Sequence, residues 1–447
     1  MKIARFSRIG FILAAAGSAV GLGNIWKFPY ITGENGGGAF VFVYLITVLM
    51  IGFSVMLAEM LIGYLGRRDG VSSFEELAPQ HKKFWKYSGF MGMTGLLIMA
   101  FYSVVIGWIF HYIVLAATQL PDSVAAAESV FTTMLHEGIG TQLFYHTVAF
   151  LIITAVIARG IKGGIERLNL VLMPTLFLIV GGMFLYALNL DGFSKAWAFM
   201  FQPEWHKLTS DSLVTAVGHA FFTLSLGMGS ILTYSASLPK ASNLVKSALI
   251  VVALDTAIAL LSGLMLFTFL FEYGSEPSAG PGLVFISLPA VFYEMGIPGN
   301  IFSVLFFIAL AFAGLTSAVS LVEPMVQYAI DRYKMTRFSA AFSMGLFFYL
   351  VGIVALLSNS SEYGGMLTFG SRNFFDWADF ITASVMLPAG GLVMAVFVGY
   401  IMEKERVESI LKPQFGKLFG VWYFSLRYIA PVGLVIVMLH LMGILAL

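Results

Sequence analysis

The sequence AAAGSAVGLGNIWKFPY, residues 14–30, decides how the rest of the chain is organised. It lies within an apolar segment, residues 11–32, which is long enough to cross a hydrocarbon core of ~30 Å as a helix. Three glycines weaken the centre of this helix, while Asn24, Lys27 and Pro29 place an amide, a cation and a helix breaker at bilayer depth. Unpaired backbone groups are costly in hydrocarbon, so a broken helix survives only where it lines a cavity or binds a ligand. The stretch therefore predicts a broken membrane span whose break is a binding site.

The composition is that of a polytopic membrane protein. The 447 residues are 59% hydrophobic and 11% charged, with a mean hydropathy of +0.89, which excludes a water-soluble enzyme and a disordered chain. The lack of cysteine excludes disulfides, thiolate metal sites and cysteine nucleophiles. The histidines show no HExxH spacing, and no P-loop or nucleophile elbow is present, so we expect no enzyme activity. The first apolar segment has no small-residue cleavage site, so we expect a retained span rather than a signal peptide.

Apolar runs of ~18 or more residues predict eleven spans. They cover residues 11–32, 38–65, 87–118, 143–159, 166–188, 212–238, 244–271, 300–330, 338–358, 376–401 and 421–446. With a cytoplasmic N-terminus, all but four of the 25 lysines and arginines fall on the cytoplasmic side. The exceptions are Lys195, Lys207 and Arg372 outside and Lys27 within the first span. The positive-inside rule therefore predicts this orientation, and the odd number of spans places the C-terminus outside.

The sixth predicted span repeats the features of the first. Its centre, TLSLGMG at residues 223–229, again combines hydroxyl side chains with two glycines. Two interrupted spans at corresponding positions predict an inverted five-plus-five repeat with a substrate site between its halves. The whole chain, residues 1–447, would then be one transporter domain with repeats at 8–188 and 211–402 and an eleventh helix at 420–447. The apolar LVFISLPAVF within the loop 272–299 predicts a helical hairpin that dips back toward the protein, with a lid as one candidate role.

Long motifs around these breaks resemble the neurotransmitter:sodium symporter family, in particular its bacterial members. The matching stretches are GSAVGLGNIWKFPY and GENGGGAF in and after span 1, FFTLSLGMG in span 6 and FAGLTSA in span 8. The resemblance covers nearly the whole chain and implies an all-α polytopic protein of the bacterial inner membrane. It implies sodium-coupled symport of a hydrophobic or aromatic L-amino acid into the cell by alternating access. It also implies two sodium ions, contact with the lipid bilayer, no nucleic-acid partner, and a monomer or weak dimer.

Two other functions remain open from the sequence. Asp255, Glu59 and His219 could carry protons, so a proton-coupled amino-acid transporter of the same fold is one alternative. A non-transporting amino-acid sensor is the other, although such a protein would lack the ion ligands that the resemblance implies.

By motif position, the resemblance implies two sets of sodium ligands. The first consists of the Ala19 carbonyl, the Asn24 side chain, Thr223 and Asp255, and the second of the carbonyls of Gly17, Val20 and Ala313 with the hydroxyls of Thr316 and Ser317. A carboxylate in apolar span 7 is costly unless a cation pairs with it. Chloride-dependent relatives carry Asn at the Asp255 position and a serine four residues later, where this chain has Ala259. We therefore expect Asp255 to supply the negative charge without chloride; a protonated structural aspartate is the alternative.

The resemblance also implies a site for an amino-acid zwitterion. The substrate carboxylate would meet the amides of Leu22 and Gly23 and the Tyr102 hydroxyl, since free amides beside a half-helix suit an anion. The amino group would meet span 6 carbonyls near Phe222 and the Ser225 hydroxyl. The side-chain pocket would be formed by Ile98, Phe222, Met228, Ala318 and Leu321. An interfacial role for Tyr102 and plain core packing for Met228 are the alternatives.

Charged residues on either side of this site are candidate gates. Lys27 and Asp379 would form the outer gate, and lysine in place of the arginine of many relatives should weaken it, because lysine lacks the bidentate fork. His219, at a position that is often Gln, would add a pH dependence or make a passive polar contact. Asp331 matches the acid of the inner gate, but the usual Arg…Trp partner is missing, which leaves Lys2 or Arg5 as candidate partners.

Two further features concern the spans that surround the breaks. Gly164 and Pro174 in span 5 would let the cytoplasmic half of that helix unwind, which the resemblance links to release of the second sodium. Glu59 in span 2 is expected to accept hydrogen bonds from free amides of a broken span, with span 6 as the candidate; a proton-carrying role is the alternative.

Overall fold

The computed structural model describes residues 6–239, 241–275, 280 and 282–445. Within these residues, nine helices are long and apolar enough to cross a membrane, and the bent pair Arg8–Ala19 and Gly23–Glu34 adds a tenth span. The nine helices are Gly38–Gly66, Lys82–Thr118, Ile139–Ala158, Ile161–Ala187, Leu244–Glu272, Ile297–Tyr333, Arg337–Leu357, Phe374–Ile401 and Lys404–Leu441. The half-helices Ser210–Thr223 and Ser230–Ala236 complete a further span between Ala187 and Leu244. Spans 1 to 11 are numbered in chain order.

Shorter elements connect the spans. Several turns inside the spans and in one loop helix are π-helical: Gly23–Lys27, Val48–Gly52, Ile161–Glu166, Leu283–Ser287, Ile381–Met386, Phe397–Ile401 and Ser425–Ile429. The connecting helices are Gly70–Leu77, Val124–His136, Gly192–Phe201, Trp205–Lys207, Leu288–Glu294 and Gly364–Leu367. A two-stranded antiparallel hairpin, Thr368–Phe369 with Arg372–Asn373, precedes span 10.

The predicted spans agree with these helices except at the last one. The helical region of span 11 begins earlier than predicted, with the charged helix Lys404–Phe415. The 3₁₀ turn Gly416–Leu418 connects this helix to the apolar part of the span without a gap. The hydropathy pattern missed this start because KERVESILK is amphipathic rather than apolar. In the loop 272–299, the described residues form a single apolar helix, Leu283–Glu294, instead of the predicted hairpin. Its Phe285 is fully buried against Trp108, Tyr112 and Phe307.

Both predicted breaks are present. Span 1 bends by 46° where the first half-helix ends at Ala19. Span 6 loses its helical backbone over residues 224–229, where Ser225, Gly227 and Gly229 have φ values of +53°, +78° and +77°. Gly227 also packs directly on span 10, since an added Cβ would lie 2.8 Å from the Gly391 amide nitrogen. Only glycine meets both the positive φ and this close approach.

Candidate substrate and ion site

The breaks of spans 1 and 6 lie side by side and are joined by hydroxyl groups. The Ser225 hydroxyl donates to the Ser18 carbonyl at 2.6 Å. From span 8, the Ser317 hydroxyl donates to the carbonyls of Gly17 and Ser18, at 3.2 Å each. These carbonyls end the first half-helix of span 1, so they lack partners within their own helix. Three spans remote in sequence therefore converge on buried backbone oxygens at the end of the first half-helix.

Three of the four predicted ligands of the first sodium, Asn24, Thr223 and Asp255, meet at the Asp255 carboxylate. Asn24 Nδ2 donates to Asp255 Oδ1 at 2.8 Å, and Thr223 Oγ1 donates to the same oxygen at 3.1 Å. Asn24 Oδ1 accepts from the Gly21 amide at 3.0 Å, which holds the side chain across the break. Asn24, Thr223 and Asp255 are each at most 1% exposed. The fourth predicted ligand, Ala19, lines a small cavity that Thr223 also lines.

The predicted ligands of the second sodium lie where span 1 meets span 8. Ser317 contacts the Gly17 carbonyl as described above, and Thr316 Oγ1 donates to the Ala313 carbonyl at 3.1 Å. Val20 follows the last helical residue of the first half of span 1 and has an extended backbone, with ψ of 93°. Among the described residues, no group of three or more His, Asp or Glu side chains is placed to hold a metal ion. The oxygen atoms available here are carbonyls and hydroxyls, which suit a hard monovalent cation.

A small cavity of about 20 Å³ lies between the two breaks and span 3. Of the nine predicted substrate residues, eight line it: Leu22, Gly23, Ile98, Tyr102, Phe222, Ser225, Met228 and Leu321. The ninth, Ala318, is fully buried in span 8 but does not line the cavity. The Tyr102 hydroxyl lies near the Leu22 amide and the Ser317 hydroxyl. The cavity is thus lined both by polar groups and by apolar side chains.

A second cavity of about 210 Å³, here called the outer cavity, lies on the other side of Phe222. Leu22, Tyr102 and Phe222 line both cavities, so they form the partition between them. Lys27 Nζ lies 4.4 Å from the centroid of the Phe222 ring, a cation–π contact that holds this ring in place. Asp379 lies across the same cavity, close enough for its charge to act on Lys27. The predicted outer-gate residues therefore face each other in the outer cavity, with Phe222 beneath Lys27.

Glu59 stabilises the broken part of span 6, as the sequence predicts. Its carboxylate accepts from the amides of Gly227 at 3.2 Å and Leu232 at 3.3 Å. These amides begin the second half-helix or precede it, where no carbonyl of the same helix can accept from them. The carboxylate is fully buried. Glu59 thus replaces the hydrogen bonds that the break removes.

His219 lies away from both cavities. Its ring packs against Phe28, with centroids 5.9 Å apart, and against Tyr44, with centroids 5.4 Å apart. It is 3% exposed and lines neither the small nor the outer cavity. Tyr44 in turn lies near Thr223 and Asp255, although its hydroxyl is buried without a hydrogen-bond partner. His219 thus packs among aromatic rings and lines neither cavity, but it is close enough to Lys27 for the charge of that predicted gate residue to act on it.

The end of the molecule predicted to be cytoplasmic is held by contacts that the sequence did not reveal. Asp331 Oδ2 accepts from the backbone amide of Asp69 at 3.2 Å, and Arg67 donates to the Leu238 carbonyl after span 6. Burial, reinforced by the nearby Asp331 charge, raises the pKa of Asp69. The predicted partners of Asp331, Lys2 and Arg5, lie outside the described residues.

Span 5 is helical through both of its predicted weak points. Gly164 lies in a π turn pressed against the Val156 carbonyl of span 4, and Pro174 lies inside the following α-helix. Two residues near them were missed by the sequence reasoning. Glu166 Oε1 accepts from the Ser7 hydroxyl at 2.5 Å and thereby ties span 5 to the start of span 1. Asn169 Oδ1 is buried without a hydrogen-bond donor beside Gly17, whose carbonyl is a predicted sodium ligand.

Another buried pair ties spans 4, 8 and 9 together. The two terminal nitrogens of Arg337, Nη1 and Nη2, donate to the Glu323 carboxylate at 2.6 and 2.5 Å. Its third nitrogen, Nε, donates to the Ile157 carbonyl at 2.7 Å. The sequence shows the carboxylate of Glu323 within apolar span 8, but it does not show that Arg337 of span 9 is the partner. The pair is a bidentate structural link outside the substrate site.

Comparison with known proteins identifies relatives along the whole chain. The family model described as sodium:neurotransmitter symporter family matches residues 4–135 and 130–446. The chain is 36% identical over 449 residues to an uncharacterized sodium-dependent transporter of Bacillus subtilis (strain 168), YhdH, with 98% of each chain covered. It is 32% identical to an uncharacterized sodium-dependent transporter of Haemophilus influenzae, with 96% of each covered. The crystal structure of MhsT in complex with L-phenylalanine matches with a TM-score of 0.89 and 40% identity, covering 98% of this chain and 99% of that one. This structural match confirms the predicted fold class.

Proposed function

The chain belongs to the sodium:neurotransmitter symporter family, a family of secondary transporters, and we propose that it carries a hydrophobic or aromatic L-amino acid into the cell with two sodium ions and without chloride. The observation that carries this proposal is the Asp255 carboxylate, buried at the junction of spans 1, 6 and 7 and held by Asn24 and Thr223. A buried carboxylate is costly unless a cation compensates it. A sodium ion at this point would compensate the charge, and no chloride would be needed.

The substrate carboxylate would complete the first ion site. Leu22 and Gly23 lie at the start of the second half of span 1 and line the small cavity, and the free amides at a helix start favour an anion. The Tyr102 hydroxyl, already near the Leu22 amide, would donate to the same carboxylate. A sodium ion beside Asp255 would then contact the substrate directly, so binding of either would strengthen binding of the other.

The apolar side chains that line the small cavity favour a substrate with an uncharged side chain. Ile98, Phe222, Met228 and Leu321 line it, and a charged substrate group would lose its hydration there without a partner. A cavity of about 20 Å³ does not hold an aromatic ring. Displacement of Phe222 would join it to the outer cavity, and the flexible Met228 would adapt to the ring shape. The complex of the relative MhsT with L-phenylalanine agrees with an aromatic substrate.

Transport would require the site to open alternately toward the outside and toward the cytoplasm. The cation–π contact between Lys27 and Phe222 would close the outer side, and the contacts of Asp331 and Arg67 would close the inner side. Unwinding of span 5 between Gly164 and Pro174 would free the second sodium toward the cytoplasm. A membrane potential of ~100 mV would add about 2.3 kcal/mol for each charge carried inward.

Equilibrium binding of tritiated L-phenylalanine to the purified protein in detergent tests this function. We expect binding in sodium chloride and in sodium gluconate, and loss of binding in potassium chloride. Unlabelled leucine and tryptophan should compete, whereas lysine and glutamate should not. Binding that needs chloride would refute the role of Asp255, and binding that ignores sodium would refute the ion assignments.

A further inference from the structure

Arg427 lies inside span 11, where a charged side chain is energetically costly. It follows the start of the helix at Phe419 by eight positions, which corresponds to about 12 Å along the axis. Neighbouring side chains Val421, Phe424 and Val432 are 59%, 56% and 59% exposed and therefore face the lipid. An arginine on such a helix is costly and as a rule pairs with an anion or serves a function.

The structure gives Arg427 aromatic neighbours instead of a carboxylate. Its guanidinium carbon lies 4.5, 5.5 and 5.7 Å from the ring centroids of Tyr400, Tyr423 and Tyr428. None of the ion pairs found among the described residues includes it, and its Nε is buried without a hydrogen-bond acceptor. The Tyr423 hydroxyl lies near the guanidinium and can accept from at most some of its five N–H donors. The π faces of the rings attract the positive charge but do not take up the remaining N–H groups. The cation is thus held in place with donors left to bind an anion.

The surroundings fit a pocket shaped around this side chain. Gly399 of span 10 leaves room for the arginine stem, because an added Cβ would lie 3.0 Å from Arg427 Cγ. The Tyr423 hydroxyl donates to the Gly399 carbonyl at 3.1 Å and closes the pocket between the two spans. A second cation, Lys404, lies 5.9 Å from the centroid of the Tyr423 ring. Its ion-pair partner Glu408 is 3.5 Å away and shared with Lys412, an exposed arrangement that binds weakly.

We propose that Arg427 and Lys404 bind the phosphate of an anionic lipid in the leaflet next to the Lys404 end of span 11. A guanidinium with a planar set of donors matches phosphate oxygens, and basic pockets between spans are suited to anionic headgroups. The source is a lipid rather than free phosphate because Tyr400 and Tyr428 are 47% and 49% exposed beside apolar side chains, a surface for acyl chains. The site depends on the chain spanning a membrane and not on the proposed ions or substrate.

Thermal unfolding in a neutral detergent tests the site, with dioleoyl-phosphatidylglycerol, dioleoyl-phosphatidylcholine or inorganic phosphate titrated into the protein. We expect the melting temperature to rise with phosphatidylglycerol and to change little with the other two. Arg427→Gln should require about tenfold more phosphatidylglycerol for the same rise, since a charge-assisted bidentate contact is lost. Arg406→Gln, which removes an equally positive but exposed side chain from the helix that carries Lys404, should behave like the unaltered protein.

The readout is the lipid-dependent shift of each variant from its own lipid-free melting temperature, so a less stable variant remains informative. If Arg427→Gln does not fold, Arg427→Lys keeps the charge without the planar donors and should need an intermediate lipid concentration. Equal shifts in the unaltered protein and both Arg427 variants would overturn the proposal. If Arg406→Gln and Arg427→Gln lose the same part of the lipid-dependent shift, the effect comes from general surface charge and the specific site is refuted. If inorganic phosphate raises the melting temperature as much as phosphatidylglycerol does, the assignment to a lipid is refuted.

Discussion

Replacing Asp255 by asparagine changes the charge at the first proposed sodium site while keeping its shape. Asp255 Oδ1 accepts hydrogen bonds from Asn24 at 2.8 Å and Thr223 at 3.1 Å. The amide oxygen of the introduced side chain can accept both of these bonds, so the packing of spans 1, 6 and 7 should persist. The buried negative charge, however, is lost.

The size of the effect follows from the charge alone. A unit charge ~4 Å from a sodium ion contributes about 4 kcal/mol at an effective dielectric constant of ~20. The amide oxygen still coordinates, so we expect about half of this, ~2 kcal/mol, to be lost, which corresponds to about 30-fold weaker sodium binding. The affinity for the amino acid at saturating sodium should fall much less, because the donors around Tyr102 and Leu22 are unchanged.

The assay is the sodium concentration that gives half-maximal binding of tritiated L-phenylalanine, with potassium added to keep the ionic strength constant. Asp122→Asn is the matched control, since Asp122 is exposed in the loop between spans 3 and 4 and contacts only its neighbour Ser123 in the hydrogen bonds described. An unchanged half-maximal sodium concentration in Asp255→Asn would refute the reasoning. It would favour the alternative of a protonated, structural aspartate.

Three further predictions concern the geometry around the breaks. Tyr102→Phe should weaken substrate binding by about tenfold at saturating sodium, because one donor to the carboxylate is lost, and a competition titration measures this. Glu59→Gln should lower the melting temperature even without sodium or substrate, since a neutral side chain satisfies the amides of Gly227 and Leu232 less well; an unchanged melting temperature would count against that role. Gly227→Ala should destabilise the protein by about 2–4 kcal/mol in thermal unfolding, from a positive φ and a clash with Leu387, and no change would show that span 10 can move aside.

The fold and much of the site were predictable because both depend on local patterns. Long apolar runs set the spans, and glycines beside Asn24 and Ser225 marked the two breaks, since glycines weaken a helix and polar side chains are costly in lipid. The motifs assigned Asn24, Thr223 and Asp255 to one ion site, and in the structure Asn24 and Thr223 both donate hydrogen bonds to Asp255. These contacts place the residues together; the sodium and substrate assignments remain proposals.

Pairings between distant residues were not predictable. Glu166 with Ser7 and Arg337 with Glu323 each join spans whose contact no periodicity reveals. The packing of His219 against Phe28 and Tyr44 was likewise not visible in the sequence. Periodicity gives the face of a helix and not the neighbour that this face meets.

The decisive experiment is uptake of radiolabelled L-phenylalanine into proteoliposomes, with sodium or potassium outside and gluconate as the only anion. Sodium-coupled transport predicts accumulation above the external concentration with a sodium gradient, none with potassium, and a further increase with a negative interior potential. Accumulation that follows a proton gradient and ignores sodium would contradict it, and would make Asp255 and Glu59 the first candidates for proton carriers.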